Sequence, residues 1–243
     1  MDTKSLISKE YLAERAQLFN SERAAPVIDR GSPVHNTSDT IYLAVTDAEG
    51  NACSLVNSMA ETFGSRIVPA GVGFALHSRG AGFHLNPDHP NVYAPNKRPY
   101  NTIIPALVTN ASDASLHTVL GVMGGAMQPQ GHAQVLLNML TFGMNPQTAL
   151  DAPRICVGIS LPGKSTDPSK KVDKTVYLEE GISEEVAREL EKMGHEISFV
   201  RGTKRALFGR GQVIRVHADP VDGSRIYSAG SDLRGDGAAA ALI

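Results

Sequence analysis

The sequence predicts an α+β layered sandwich. Alternating extended runs come first, at 40–58, 103–109 and 116–122, and helical patterns follow at 128–142 and 183–193. Extended runs return at 195–201, 211–217 and 224–229. Strands grouped around a helix pair suit stacked sheets with helices outside.

The elements can be justified in chain order. Residues 5–22 read as a short helix with Ser8 as cap and Leu12 and Leu18 turned inward. Residues 23–38 mix Pro, Gly, Ser and Asn without period and read as a linker. Ile41-Tyr42-Leu43-Ala44-Val45-Thr46, the turn Asp47-Ala48-Glu49-Gly50-Asn51 and the run from Ala52 to Ser58 form a β-hairpin. Paired positions keep a constant sum along an antiparallel ladder, so pairing Thr46 with Ala52 sets Thr40 opposite Ser58. The stretch 64–101 is loop-rich. In the helix at 128–142, Pro129 sits in the first turn, Val135, Leu136, Met139 and Leu140 form one stripe, and Gly143 terminates it. Ser183 caps the helix at 183–193, with Glu184 or Glu185 in its first turn, and Gly194 ends it.

Composition bounds the partners. The 243 residues carry a net charge of -2, which leaves no electrostatic footprint for nucleic acid or an anionic membrane. Lys164, Lys170, Lys171 and Lys174 cluster in a Ser/Pro/Asp-rich stretch that reads as a solvated loop. Cys53 and Cys156 read as small core residues, and no Cys/His spacing points to zinc. Residues 1–25 lack an apolar signal region and no segment is long enough to span a bilayer, so the expected location is cytoplasmic.

A series of motifs runs through the chain. Phe63-Gly64-Ser65 is followed by Pro69-Ala70-Gly71-Val72-Gly73-Phe74 and Pro95-Asn96-Lys97-Arg98-Pro99. Gly124-Gly125-Ala126-Met127-Gln128-Pro129-Gln130, Asp151-Ala152-Pro153-Arg154 and Ser231-Asp232-Leu233-Arg234-Gly235-Asp236-Gly237 complete it. In this order and at these separations the motifs resemble the γ-glutamyltransferase (glutathione hydrolase) family, nearest its glutathione hydrolase-like proenzyme branch. The resemblance covers nearly the whole chain, from about Leu6 onward. It implies the four-layer αββα sandwich of N-terminal nucleophile hydrolases. It also implies that residues 1–39 are a leader resembling the end of the family's large subunit. Residues 40–243 then form a small-subunit-like catalytic domain that lacks most of the large-subunit portion.

The chemistry follows from Thr40. Read from the hairpin alone, it is an ordinary β-branched strand residue. Aligned with the family, it is the nucleophile, and cleavage of the Asp39–Thr40 bond frees an α-amine that serves as its base. Ser58 aligns with a residue that hydrogen-bonds this nucleophile. Gly124-Gly125 precedes a helix N-terminus and resembles the family's oxyanion hole, although a plain strand-to-helix turn would look the same. Asn101-Thr102 stands where family members carry Ser-Ser on the substrate carboxylate. Arg79 replaces a glutamine and reads either as a binding residue or as a solvated loop charge. Gly82 replaces an aspartate that holds the substrate amine, Ala60 an asparagine, and Arg66 a glycine whose loss should disturb its loop.

The resemblance implies a small-molecule γ-glutamyl substrate such as glutathione, with no metal or organic cofactor. It also implies a large-subunit-like partner chain. The alternative is a catalytically inactive subunit that keeps the fold and a partner surface.

Overall fold

The computed structural model describes residues 8–17, 19–24, 39–158 and 174–241. Leu18, most of the 23–38 linker, and Lys164, Lys170 and Lys171 lie outside the described residues. The elements are α1 (Lys9–Ala16), β1 (Asp39–Thr46), β2 (Ala52–Ala60), β3 (Ala106–Thr109), β4 (Leu116–Met123), α2 (Gln128–Leu140) and α3 (Pro146–Asp151). Then come β5 (Ile155–Val157), β6 (Val176–Glu179), α4 (Glu184–Lys192), β7 (Ile197–Val200), β8 (Arg210–Ala218) and β9 (Arg225–Ser231).

The hairpin β1–β2 has the register read from the sequence. Thr46 pairs with Ala52 and Thr40 with Ser58. Asp47 fixes its turn by accepting from the Asn51 amide at 2.8 Å. The ladder is irregular between Asp39 and Thr40, where the partner jumps from Ala60 to Ser58. Met59, the residue skipped, turns its carbonyl to the Ser78 amide instead. Such bulges bend a strand and re-aim its side chains.

A second sheet has the order β3-β4-β8-β9, all antiparallel. Its strands carry apolar side chains to both faces. On one face Leu120, Val122 and Val213 pack with Val135 and Met139 of α2 and with Ala149 and Leu150 of α3. On the other, β1 packs against β4 and β8. Tyr42 lies over Gly121, where a Cβ would sit 2.3 Å from its ring. A glycine in a strand interior marks this kind of close approach.

The described layers are therefore helix, sheet and hairpin. The far side of the hairpin is open: Ile41, Leu43, Val45 and Leu55 are all about half exposed or more. Cys53 shares this open side and is exposed, which corrects its assignment to the core; Cys156 is buried as expected. An alternating strand buries only the face that another layer covers.

A third sheet, β5-β6-β7, stands beside these layers with β6 and β7 parallel. The α4 helix covers it through Ala187 and Leu190, and Ser183 caps that helix by accepting from the Val186 amide. Three sequence readings need adjustment. The first helix is only Lys9–Ala16, and Leu12 is half exposed. Leu140 ends its helix stripe exposed. The short α3, capped by Asn145 with Pro146 in its first turn, was not anticipated.

Candidate active site

The site begins at the open end of the hairpin. Thr40 is 2% exposed, and its hydroxyl donates to Ser58 Oγ at 2.9 Å. Ser58 Oγ also accepts from the Ala60 amide at 3.1 Å and from Arg79 Nη2 at 2.8 Å. Arg79 Nη1 donates to Thr102 Oγ1 at 2.6 Å. Thr40, Ser58, Arg79 and Thr102 thus form one hydrogen-bonded row. Burial lowers the Arg79 pKa, and among the described residues no opposing charge pairs with it. The reading of Arg79 as a solvated loop charge is thereby corrected: it is half-buried and bound to two hydroxyls.

Local backbone explains why the row forms. Ala60 adopts φ 75, ending β2 in the left-handed region and turning the chain toward Ser78. The Glu61 amide donates to Ser78 Oγ at 3.2 Å, which fixes the approach of the 78–82 turn that carries Arg79. Alanine tolerates this conformation less well than asparagine does, so Ala60 is strained there. Arg66 has φ 62, the conformation natural to the glycine it replaces. Its loop nevertheless closes, with the Arg66 amide on the Phe63 carbonyl at 3.0 Å, so the expected disturbance is a strained residue and not a lost turn.

Gly124 and Gly125 lie in the turn from β4 into α2, with φ 142 and φ 58. A Cβ on Gly124 would come 2.9 Å from Gly209 Cα, so a glycine is required there. Gly125 opens a single 3₁₀ turn that continues into α2, and first-turn amides have no acceptor within a helix. The Ile104 amide donates to Gln128 Oε1 at 3.0 Å, tying the segment between Thr102 and β3 to the start of this helix. His132 Nδ1 holds the Gln128 carbonyl at 2.7 Å, and burial lowers its pKa. Asn101 is exposed beside Thr102 and does not join the row. Gly82 leaves open space around its Cα and offers its carbonyl to Asn91.

Two motifs of the series build structure elsewhere. Arg154 and Asp232 pair at 2.6 Å, and Arg234 bridges Asp232 and Glu179, all buried. Glu179 also takes the Arg154 amide and Arg205 Nε. The sequence reading missed Glu179, because only long-range pairing brings β6 to this network. Among the described residues no group of three or more His, Cys, Asp or Glu side chains forms a metal-ligand set. No helix of the described residues is long and apolar enough to cross a membrane.

A family model described as gamma-glutamyltranspeptidase matches residues 1–242. The chain belongs to the gamma-glutamyltranspeptidase family. A curated relative in this family, the glutathione hydrolase-like YwrD proenzyme of Bacillus subtilis (strain 168), is 33% identical over 205 residues, covering 84% of this chain and 36% of the relative. The oxamate amidohydrolase proenzyme of Klebsiella pneumoniae subsp. pneumoniae is 29% identical over 240 residues, covering 99% of this chain and 42% of the relative. The crystal structure of cephalosporin acylase from Bacillus halodurans superposes with a TM-score of 0.80 and 37% identity, over all of this chain and 40% of that one. The chain thus spans about two-fifths of the length of these three proteins.

Proposed function

We propose that this chain carries the nucleophile of an amide hydrolase or acyl transferase of the N-terminal nucleophile type, and that Thr40 is that nucleophile. The observation that carries the reading is the placement of Thr40. It is buried at a strand start, donates to Ser58 at 2.9 Å, and follows a ladder irregularity at the bond to Asp39. The substrate is an amide of a carboxylate-bearing acyl group, the class to which glutathione and γ-glutamyl conjugates belong.

Cleavage at Asp39–Thr40 frees the Thr40 amine. Thr40 Oγ1 then attacks the substrate carbonyl carbon while its proton passes to that amine. The oxyanion is held by the Gly124 and Gly125 amides, whose turn precedes α2. The C–N bond breaks as the amine returns the proton to the leaving nitrogen, leaving an ester on Thr40. Water, or an acceptor amine, attacks the ester and restores the hydroxyl. Ser58 positions Oγ1 throughout. A large-subunit-like partner, equivalent to the part of the relatives that this chain does not match, covers the open hairpin face at Ile41, Leu43, Val45 and Leu55.

Release of chromophore from a γ-glutamyl anilide and from oxalyl, malonyl and succinyl anilides, with that partner present, tests the reading. Wild type should turn over one of these and Thr40→Ala none. Equal turnover by both overturns it. An intact, inert wild-type chain supports a non-catalytic subunit instead.

A further inference from the structure

The Arg79 guanidinium is a half-buried cation close to Thr40. Among the described residues no Asp or Glu pairs with it, and burial lowers its pKa. Burying a charge without an opposite charge is costly, so structures retain such groups where a ligand supplies one. Its two observed partners, Ser58 and Thr102, are neutral hydroxyls. They fix the plane of the fork and use two of the five N–H donors of an arginine. The remaining donors suit the two oxygens of a carboxylate.

The position of this cation relative to Thr40 is informative. Hydrogen bonds of 2.9 and 2.8 Å in series join Thr40 Oγ1 to Arg79 Nη2 through Ser58 Oγ. With the bond angles usual at a hydroxyl oxygen, the nucleophile and the cation are about 5 Å apart. A reacting carbonyl carbon sits about 3 Å from its nucleophile, and a carboxylate oxygen about 2.8 Å from a guanidinium nitrogen. Both contacts can be met together by one acyl group that carries the carbonyl and a carboxylate. The span leaves the number of bonds between them open, and the ammonium of a γ-glutamyl group, next to its carboxylate, would be brought close to the same cation with no Asp or Glu paired there among the described residues. Gly82, with open space and no side chain, supplies no anion for an α-amine.

We propose that Arg79 is the anchor for the acyl carboxylate. It selects amides whose acyl group carries a carboxylate and no ammonium: oxamate, malonamate and succinamate types. This rests on the assignment of Thr40 as nucleophile and narrows its substrate class. Thr102 and Ser58 position the guanidinium, and Arg79 touches the substrate.

Calorimetric titration of the full chain with oxamate, succinamate, glutamine and the neutral diamide succinamide tests it. Wild type should bind oxamate or succinamate at least ~10-fold more tightly than succinamide and more tightly than glutamine, the scale of one charge-assisted contact. Arg79→Gln should erase the carboxylate preference, and Arg79→Lys should keep part of it if the glutamine variant is poorly folded. The same order should appear in Thr40→Ala, because binding does not need the nucleophile. Absence of carboxylate preference in wild type, its survival in Arg79→Gln, or glutamine as the tightest ligand overturns the proposal. An Arg79-dependent preference with turnover unaffected by Thr40→Ala would overturn the nucleophile assignment and leave the anchor standing.

Discussion

Ser58→Ala removes more than one orienting hydrogen bond. Three donors converge on Ser58 Oγ: the Thr40 hydroxyl at 2.9 Å, the Ala60 amide at 3.1 Å and Arg79 Nη2 at 2.8 Å. A neutral bond contributes about 0.5–1.5 kcal/mol and one to a charged group about 1.5–3 kcal/mol. The full sum does not apply, because a hydroxyl oxygen has two lone pairs for three donors and Arg79 keeps access to water. The net cost is about 2–3 kcal/mol, which for a chain of this size lowers Tm by roughly 4–12 °C. The assay is a reversible thermal melt of wild type, Ser58→Ala and Ser58→Thr at one pH and salt. Ser58→Thr keeps the oxygen and suits a strand, so it should stay close to wild type. Melting of Ser58→Ala within ~1 °C of wild type would refute the claim that this oxygen is the hub of the row.

Three further outcomes follow from the same structure. Arg154→Met leaves Asp232 buried with less compensation, so it should cost about 3–5 kcal/mol in denaturant unfolding, whereas Arg188→Ala, in the exposed 3.9 Å pair with Glu184, should cost under about 0.5 kcal/mol. Arg66→Gly relieves a residue at φ 62 and should raise stability by about 0.5–1 kcal/mol in a urea titration, and a loss of stability there would contradict the assigned backbone. Burial pushes the Tyr42 phenol up to about 12 from the usual 10.0. Both states are neutral below that usual value, so this contribution to stability is complete there and is lost as pH rises from 10 toward 12. A melt series over that range should show a shallower decline for Tyr42→Phe than for wild type.

The hairpin was legible because its information is local. A short turn and strict alternation fix the register, and the register alone places Thr40 opposite Ser58. The helices α2 and α4 were legible for the same reason, through Pro129 and Ser183. The row from Ser58 to Arg79 to Thr102 was not, because its contacts cross 21 and 23 residues of loop. Arg79 was singled out as a binding candidate without its partners, which depend on the turn that Ser78 fixes. Cys53 was misread because alternation tells which residues share a face and not whether a layer covers it. The Asp151–Arg154 and Ser231–Gly237 motifs were read as family marks, and the structure gives their physical content as buried ion pairs around Glu179.

Thr40 as an N-terminal nucleophile is tested most directly by intact mass and N-terminal sequencing of purified wild type, Thr40→Ser and Thr40→Ala. Wild type should yield a polypeptide beginning at Thr40, Thr40→Ser the same product more slowly, and Thr40→Ala only the uncut chain. A Thr40→Ala chain cut at Asp39–Thr40 as fast as wild type would contradict the account.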